Sequence, residues 1–343
     1  PYDRRRRDVS RRVAVIGAGA WGTCLASTCA RNNPTTLWVR PDESDVADEI
    51  NSDHTNDTYL PDVTLPPRLA ATTEMADAVA GVDCVVVGIP SRWIRGVARD
   101  LRAHVEPGVP IVSLVKGLEA DTRLRMTQVI ADEMPGHPVG ALSGSNLASE
   151  IAAGITSASV LAFDDVDQAR DLRTLFNTPR FRVYVNHDVV GVEAGGALKN
   201  VIAIATGMSD GAGGGHNTSA AIITRGLAEI TRVGVAMGAE AQTFAGLAGV
   251  GDLVATCSST HSRNHFVGAA LGSGRKLDDV LAEMTQVAEG VTTAPVVLDI
   301  AAERGVAAPI CSVINGVLTG AMSPGEALGS IVGQEAGHEL EPG

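Results

Sequence analysis

The sequence predicts an α/β fold, with a doubly wound domain over residues 12–190 followed by an all-α domain over residues 191–335. Two observations carry this prediction. As far as about Tyr184, short β-branched runs alternate with stretches rich in alanine and leucine, the pattern of a parallel sheet covered by helices on both faces. After about Asp188 the strand-like runs disappear and long alanine-rich stretches replace them. A chain of 343 residues, 45% of them hydrophobic, is long enough for two such domains.

Six short apolar runs are the expected strands of the first domain. They are VAVI (13–16), TLWV (36–39), CVVVGI (84–89), IVSLV (111–115), SVLAF (159–163) and FRVY (181–184). In the second domain, residues 218–239 and 293–305 have the length and composition of helices. The boundary falls near residues 185–195, so a residue shortly after it would lie where the domains meet and where ligands usually bind.

Composition excludes several classes of protein. A net charge of −13 argues against a nucleic-acid partner, and the arginine cluster in PYDRRRRDVSRR is interpreted as a tail. The five cysteines are scattered and form no Cys-x-x-Cys pair, which suggests neither disulfides nor a metal site and fits a reducing cytoplasm. No segment approaches the roughly 18 uninterrupted apolar residues of a membrane span. We expect a cytoplasmic protein with a small-molecule substrate, in which the helical domain supplies a homodimer interface.

A glycine motif follows the first strand. Gly17, Gly19 and Gly22 in VAVIGAGAWGTCLA form Gly-x-Gly-x-x-Gly at the start of an apolar helix. The first glycine permits a tight turn, the second lets the backbone approach a pyrophosphate, and the third lets helix and strand pack closely. The strand and helix around the motif favour a Rossmann-type dinucleotide site over a structural turn.

The second strand ends in Arg40 rather than in the acidic residue typical of NAD sites. An arginine there can bind a 2′-phosphate and stack on adenine, which favours NADP or the use of both cofactors. The alternative is a surface arginine beside Asp42. The sequence therefore predicts NAD or NADP as cofactor.

Lysine is rare in this chain: Lys116, Lys199 and Lys276 are its only lysines. Lys276 lies in the polar stretch SGRKLDD and is read as a surface charge. Lys116 in VSLVKGLEA follows a strand of the predicted sheet, at the edge where ligands bind in doubly wound folds. Lys199 in GGALKNVIAI lies just past the domain boundary, although a lysine stem covering apolar surface at a helix end would also explain it.

Three further segments contain candidate ligand groups. ALSGSNLASEIAAG places Gly144, Ser145 and Asn146 between a strand and an apparent helix, where backbone N–H groups can hold an anion or only cap the helix. Asp252 lies among glycines in AGLAGVGDLVATC, a setting also typical of a turn. The run Ser262–Arg263–Asn264 offers a hydroxyl, a guanidinium and an amide for a phosphate, unless it is ordinary surface.

Taken together, these segments resemble the bacterial type of NAD(P)-dependent glycerol-3-phosphate dehydrogenase. The matching blocks run in order through VIGAGAWGT, VKGLE, SGSNLASEIAAG, GGALKNVIAIATGMSDG, ITRGLAE, AGVGDLVATC, SRN and VAEG, covering nearly all of residues 13–320. The resemblance implies a Rossmann N-terminal domain and an α-helical C-terminal domain similar to that of 6-phosphogluconate dehydrogenase. It also implies reversible hydride transfer between NAD(P)H and dihydroxyacetone phosphate, giving sn-glycerol 3-phosphate for phospholipid synthesis.

The resemblance further implies roles for individual residues. Lys199 matches the proton acceptor, and Lys116 matches a lysine that touches both cofactor and substrate. The other positions that match cofactor contacts are Ala20, Trp21, Arg40, Ala148, Arg263, Val287 and Glu289. The other positions that match substrate contacts are Gly144, Asn146, Asp252, Ser262, Arg263 and Asn264. The sequence departs from the family pattern at Ser145, where proline is usual, and at Asn146, where threonine is commoner.

These residues suggest a mechanism without a metal ion. Lys199 would be the general acid and base, with a pKa lowered by burial and by the charge of Lys116, while Asp252 orients it. Two alternatives are another hydroxy-acid or sugar-acid dehydrogenase, which would need no phosphate site, and a nucleotide sensor without catalysis, which would need no lysine pair.

Overall fold

The computed structural model describes residues 10–284 and 286–332. An eight-stranded sheet with flanking helices is followed by a helical part, so the predicted fold class is confirmed. The first nine residues, which hold most of the arginine cluster, lie outside the described residues, as does the predicted end of the second domain at residue 335.

The sheet has the strand order β3-β2-β1-β4-β5-β6-β7-β8, whose first six strands follow the doubly wound dinucleotide-binding arrangement. Its strands are β1 Val13–Ile16, β2 Thr35–Trp38, β3 Leu69–Thr72, β4 Cys84–Val87, β5 Ile111–Ser113, β6 Val139–Gly144, β7 Ser157–Ala162 and β8 Phe181–Asn186.

The helices divide between the two parts of the chain. Those of the sheet part are α1 Ala20–Ala30, α2 Ser44–Ser52, α3 Met75–Ala78, α4 Ile94–Leu101, α5 Met126–Glu133, α6 Ala148–Ala152 and α7 Val166–Phe176. Those of the helical part are α8 Val189–Gly211, α9 His216–Ala236, α10 Ala241–Phe244, α11 Asp252–Ser258, α12 Arg263–Gly272, α13 Leu277–Ala282, α14 Glu289–Arg304, α15 Pro309–Leu318 and α16 Pro324–Val332. Short helical turns lie at Pro41–Glu43, Ser91–Trp93 and Leu247–Gly251.

The six predicted strands are present with bounds shifted by two residues or fewer. The edge strand β3 was not predicted because its sequence, LAAT, has no β-branched run. The predicted parallel arrangement holds for the other strand pairs but not for β6 and β7, which run antiparallel. The connecting helix α6 has five residues and spans about 7.5 Å, whereas the six residues of β6 span about 20 Å. A helix this short cannot carry the chain back along the full length of β6 to the end where β6 begins. The next strand, β7, therefore starts beside the end of β6 and runs in the opposite direction.

Alternate residues of β1 belong to different apolar clusters. Val13 and Val15 pack with α1 and α7 on one face of the sheet, while Ala14 and Ile16 pack with α4 and α5 on the other. Burial on both faces explains why this strand reads as a continuous apolar run. The sheet edge formed by the carboxyl ends of the strands is left to polar and glycine-rich loops.

Helix α8 is the core of the helical part. Its N-terminus is capped by Asp188, whose carboxylate accepts the backbone N–H of Gly191 at 2.8 Å. By length and composition alone α8 is apolar enough to cross a membrane, yet 94% of its most apolar window is buried inside the protein. Burial of that extent leaves no apolar face for lipid, and it makes the polar residues on α8, Lys199 among them, exceptional.

Helices α8 and α12 cross in close contact through glycines. A methyl group added at Gly207 of α8 would lie 2.1 Å from the carbonyl oxygen of His265, and one at Gly268 of α12 would lie 2.1 Å from that of Ile204. The pairs Gly207–Gly211 and Gly268–Gly272 each repeat at four residues, so both helices present backbone along the crossing. The crossing fixes the start of α12, and therefore Arg263 and Asn264, relative to Lys199.

The two parts of the chain are joined by buried polar contacts near the predicted boundary. Glu193 of α8 accepts the backbone N–H of Thr127 at 2.8 Å and pairs with the Arg125 guanidinium. Asp188 accepts a hydrogen bond from the Thr243 hydroxyl at 2.6 Å. The last strand ends at Asn186 and α8 begins at Val189, while the predicted division between residues 190 and 191 stays a prediction.

Candidate active site

The turn after β1 has the geometry that its three glycines predict. Gly17 adopts φ +112°, and a methyl group there would lie 2.7 Å from Cγ2 of Ile89. A methyl group at Gly22 would lie 2.0 Å from the carbonyl oxygen of Gly17, whereas one at Gly19 would meet no atom of the described residues within 4 Å. Gly17 therefore makes the turn, Gly22 lets α1 pack against it, and Gly19 leaves open space at the helix N-terminus.

The first turn of α1 supplies donors to that open space. Ala20 and Trp21 begin the helix, and its N-cap, Gly19, has no side chain to accept their backbone N–H groups. The Trp21 ring packs edge-on against Phe181, with centroids 6.0 Å apart, and its Nε1 is buried with no acceptor in the described part of the chain. Free N–H groups and the helix dipole suit a phosphate. The residues present therefore fit the pyrophosphate of a dinucleotide.

Arg40 lies at the same sheet edge as the glycine turn. The backbone N–H of Gly17 donates to the carbonyl oxygen of Trp38 at 3.0 Å, and Arg40 follows Trp38 by two residues. The Arg40 side chain is 51% exposed and pairs with Glu43 at 2.6 Å and with Asp42 at 3.7 Å. The position of Arg40 is therefore consistent with both interpretations from the sequence. Arg40 lies at the same sheet edge as the glycine turn, and it is also a surface arginine beside Asp42.

Lys116, Lys199 and Asp252 meet at the junction of the sheet and the helical part. Nζ of Lys116 donates to Oδ2 of Asp252 at 2.7 Å, and Nζ of Lys199 donates to Oδ1 of the same carboxylate. Lys199 also donates to the hydroxyl of Thr256, which in turn donates to Asp252 Oδ1 at 3.3 Å. Lys199 is 4% exposed and Asp252 is 1% exposed. A single buried carboxylate therefore holds both ammonium groups.

The surroundings of Lys199 favour loss of its proton. The pKa of Lys199 is lowered to about 7, chiefly because the side chain is buried; Asp252 acts in the opposite direction, and the charge of Lys116 adds to the lowering. Two ammonium groups against one carboxylate leave the cluster with one excess positive charge, and deprotonation of Lys199 removes it. The group is thus poised to exchange a proton near neutral pH.

Two glycines of α8 bring this cluster together. A methyl group at Gly195 would lie 2.4 Å from the carbonyl oxygen of Ala248, in the π-helical turn that leads into Asp252. A methyl group at Gly196 would lie 2.6 Å from Oγ of Ser143 and 3.3 Å from Cγ of Lys116. Both glycines thus permit close packing of α8 against its neighbours, and protein atoms fill the space beside them.

A line of side-chain amides connects Lys116 to α14. The backbone N–H of Gly290 donates to Oδ1 of Asn264 at 2.9 Å, and Nδ2 of Asn264 donates to Oδ1 of Asn200 at 3.0 Å. Nδ2 of Asn200 then donates to the carbonyl oxygen of Lys116 at 3.0 Å. Asn264, predicted to contact substrate, is 8% exposed and its described bonds are to protein. Its amide holds the lysine loop, α8, α12 and α14 in one arrangement.

Glu289, at the start of α14, joins the helical part to the loop after β4. Its carboxylate accepts the backbone N–H of Ser91 at 3.0 Å and the Ser91 hydroxyl at 2.6 Å. A methyl group at Gly117 would lie 2.7 Å from Cβ of Ser91 and 3.0 Å from Oε2 of Glu289. The loops after β4 and β5 and the start of α14 therefore meet at one point, beside Lys116.

The loop after β6 brings its predicted residues to the lysine cluster. Nζ of Lys116 donates to the carbonyl oxygen of Gly144 at 2.8 Å, and Gly144 adopts φ +147°. Asn146 accepts a hydrogen bond from the Ser159 hydroxyl, while its Nδ2 is buried and has no acceptor among the described residues. Ala148 begins α6 and packs against the apolar cluster that includes α1. The Asn146 amide therefore keeps a donor that the described part of the chain does not satisfy.

Ser262 and Arg263 open α12 on the other side of the cleft. Oγ of Ser262 caps the helix by accepting the backbone N–H of His265 at 3.3 Å. The Arg263 guanidinium donates to the carbonyl oxygen of Val287 at 2.8 Å. Arg263 is exposed to solvent, yet the protein packed around it desolvates the guanidinium enough to lower its pKa. An exposed guanidinium at a helix N-terminus suits an anionic group.

The predicted site residues thus form two groups along one sheet edge. Within the described ranges, no hydrogen bond or ion pair connects Arg40 or the glycine turn to the lysine cluster. Sequence reasoning missed Thr256 and Asn200. Thr256 had a usable signal, because residues four apart on a helix share a face and Thr256 follows Asp252 by four. Asn200 had none beyond its neighbours, since its partners Lys116 and Asn264 are distant in sequence.

A dinucleotide-type glycine turn and two lysines on one buried carboxylate, at the carboxyl edge of the same sheet, define a class, the two-domain dehydrogenases that use a nicotinamide nucleotide. Two family models match the chain: the N-terminus of NAD-dependent glycerol-3-phosphate dehydrogenase over residues 12–169, and its C-terminus over residues 188–329. The chain belongs to the NAD-dependent glycerol-3-phosphate dehydrogenase family.

Individual relatives agree with this assignment. The chain is 49% identical to glycerol-3-phosphate dehydrogenase (NAD(P)+) 2 of Sphingopyxis alaskensis, over 97% of this chain and 99% of that protein. It is 48% identical to the Mycobacterium avium enzyme of the same name, over 96% of each chain. The crystal structure of glycerol-3-phosphate dehydrogenase from Coxiella burnetii superposes with a TM-score of 0.89 at 34% identity, covering 94% of this chain and 99% of that one. The similarity thus spans both parts of the chain.

Proposed function

We propose that this chain catalyses reversible hydride transfer between NAD(P)H and dihydroxyacetone phosphate, giving sn-glycerol 3-phosphate for glycerophospholipid synthesis. One observation carries the proposal: Lys116 and Lys199 share the buried Asp252 carboxylate at the carboxyl edge of a dinucleotide-binding sheet. The names of the relatives support the choice of substrate.

The proposed cofactor is NAD or NADP. The open space over Gly19 and the donors of α1 fit its pyrophosphate. When bound, its nicotinamide ring supplies or accepts the hydride. The residues proposed to hold it are Gly17, Gly19, Ala20, Trp21, Gly22, Arg40, Lys116, Ala148, Arg263, Val287 and Glu289.

Lys199 is the proposed general acid and base. In the reductive direction its ammonium form gives a proton to the oxygen that develops charge at C2, and in the oxidative direction its neutral amine takes the C2 hydroxyl proton. Asp252 and Thr256 accept two of the hydrogen bonds that Nζ can donate, which leaves one tetrahedral direction for the substrate. Asp252 thereby orients Lys199 and balances the charge of Lys116.

The remaining polar groups are proposed to bind the substrate. Lys116 polarises the C2 oxygen, and the free Nδ2 of Asn146 donates to a substrate oxygen next to Gly144. Arg263, together with Ser262 and the N-terminus of α12, holds the phosphate. Asn264 contributes by keeping α12 in place relative to Lys116.

We also propose the finer organisation of the protein. The division into domains 12–190 and 191–335 follows the end of the sheet and the start of α8. For the homodimer, we propose an interface on the helical part, where Val235, Val254, Phe266 and Leu281 are exposed. A cytoplasmic location is supported by five cysteines that are all free and buried.

The test is consumption of NADH and NADPH by the purified protein in the presence of dihydroxyacetone phosphate. Lys199→Ala should lower turnover by about 10²–10⁴-fold, the usual contribution of a positioned acid or base. Binding of NADH, followed by its fluorescence, should persist. Lys276→Ala is the matched control because Lys276 is exposed and outside the site. Turnover retained in Lys199→Ala would overturn the assignment.

A further inference from the structure

The adenosine end of the dinucleotide site contains a carboxylate that sequence reasoning did not consider. Both oxygens of Glu43 face Arg40: Nε of Arg40 donates to Oε2 at 3.2 Å, and its terminal nitrogen donates to Oε1 at 2.6 Å. The other terminal nitrogen lies 3.7 Å from Oδ2 of Asp42. All three guanidinium nitrogens of Arg40 are therefore directed at carboxylates of its own loop.

This arrangement is held by the structure that also forms the glycine turn. The Tyr59 hydroxyl donates to Oε1 of Glu43, and the backbone N–H of Tyr59 donates to Oδ1 of Asn56 at 3.3 Å. Asn56 is 1% exposed, and its Nδ2 donates to the carbonyl oxygen of Ala18 at 2.9 Å, within the glycine turn. Glu43 is thus linked to the glycine turn through Tyr59 and Asn56, which lie on one loop.

The local charge has a consequence for cofactor choice. Arg40 carries one positive charge, whereas Glu43 and Asp42 together carry two negative charges. The hydrogen bond from Arg40 holds the pKa of Glu43 below its usual range, so this carboxylate stays ionised. A 2′-phosphate approaching Arg40 must displace Glu43 and meet a net negative loop. A ribose 2′-hydroxyl instead finds carboxylate acceptors, as it does in acidic NAD sites.

We propose that Glu43, through its two-point pair with Arg40, makes this site select NAD(H) over NADP(H). Arg40 by itself pointed to a 2′-phosphate ligand, and Glu43 reverses that preference by occupying the guanidinium. Tyr59 is a positioning residue for Glu43. The inference rests on the proposed function only in that the site binds a nicotinamide dinucleotide.

The test measures the dissociation constants of NADH and NADPH by ligand fluorescence, without dihydroxyacetone phosphate. The wild-type protein should bind NADH more tightly, and Glu43→Gln should move the ratio of the two constants toward NADPH by about fivefold or more. Tyr59→Phe should move the ratio in the same direction by a smaller factor, because Glu43 loses one of its anchors. Asp48→Asn removes one negative charge from an exposed position of α2 and should leave the ratio unchanged.

Tighter binding of NADPH than of NADH by the wild-type protein overturns the proposal. The proposal is also overturned if the ratio of the two dissociation constants is the same in Glu43→Gln as in Asp48→Asn. Retained NADH binding shows that each variant is folded. Because substrate is absent, inactivity toward dihydroxyacetone phosphate would refute the proposed function without changing this result. If neither nucleotide binds the wild-type protein, both the proposed function and this proposal are overturned.

Discussion

Lys116 and Lys199 donate hydrogen bonds to opposite oxygens of one carboxylate, that of Asp252. Removing either lysine therefore changes the electrostatic environment of the other, because both contact the Asp252 carboxylate. The buried carboxylate reduces the repulsion between the two ammonium groups, of which Lys116 is partly exposed and Lys199 is buried, yet it cannot neutralise both. The remaining charge favours release of one proton, and the more deeply buried Lys199 is the group that releases it.

The two directions of the proposed reaction should depend on pH in opposite ways. Oxidation of glycerol 3-phosphate needs the neutral amine of Lys199, so its kcat/KM should rise as pH increases through about 7. Reduction of dihydroxyacetone phosphate needs the ammonium form, so its kcat/KM should fall through the same range. Steady-state rates measured in both directions across pH check this. Parallel profiles in the two directions would contradict the role of Lys199.

Lys116→Met should raise the pKa of Lys199. The substitution removes a neighbouring positive charge while keeping a stem of similar length, so the rise in kcat/KM for oxidation should move to higher pH by about one unit. The KM for dihydroxyacetone phosphate should increase as well. Lys276→Met serves as the control. A profile that stayed in place or moved to lower pH would show that Lys116 does not act on Lys199.

Gly19 and Gly22 should respond differently to the same added methyl group. Gly19→Ala meets no atom within 4 Å, so the unfolding midpoint should barely change while NADH affinity falls by about tenfold, because the methyl group occupies the pyrophosphate space. Gly22→Ala places its methyl group 2.0 Å from the Gly17 carbonyl oxygen and should cost about 1–3 kcal/mol of unfolding free energy. Thermal denaturation and NADH titration of both variants separate the two effects. Unchanged affinity in Gly19→Ala would count against the cofactor assignment.

Gly268→Ala should separate α12 from α8. The methyl group would lie 2.1 Å from the Ile204 carbonyl oxygen, so unfolding free energy should fall by about 1–3 kcal/mol. Because α12 carries Arg263, the KM for dihydroxyacetone phosphate should increase more than that for NADH. Gly96→Ala in α4 is the control: it meets nothing within 4 Å and should be neutral or stabilising. Equal changes in both KM values would argue that α12 does not position the substrate.

Many residues of the active site could be predicted from the sequence because the features that mark them are local. The Gly17–Gly19–Gly22 spacing encodes its own turn, and the scarcity of lysine marked Lys116 and Lys199. The pairing of β7 with β6 and the pairing of Glu43 with Arg40 were not predictable in the same way. The first depends on how far a short helix carries the chain, and the second on whether the arginine turns toward its own loop or toward a ligand.

The sequence by itself determined the two-part architecture, the dinucleotide turn and the identity of the charged residues, because periodicity, glycine spacing and composition act over a few neighbouring residues. Only the tertiary structure decided that Asp252 lies between both lysines, that Thr256 is the second acceptor of Lys199, and that Asn200 and Asn264 link Lys116 to α14. These relationships join residues far apart in the chain. They depend on close backbone approach at Gly195 and Gly268, which packing fixes and local sequence does not reveal.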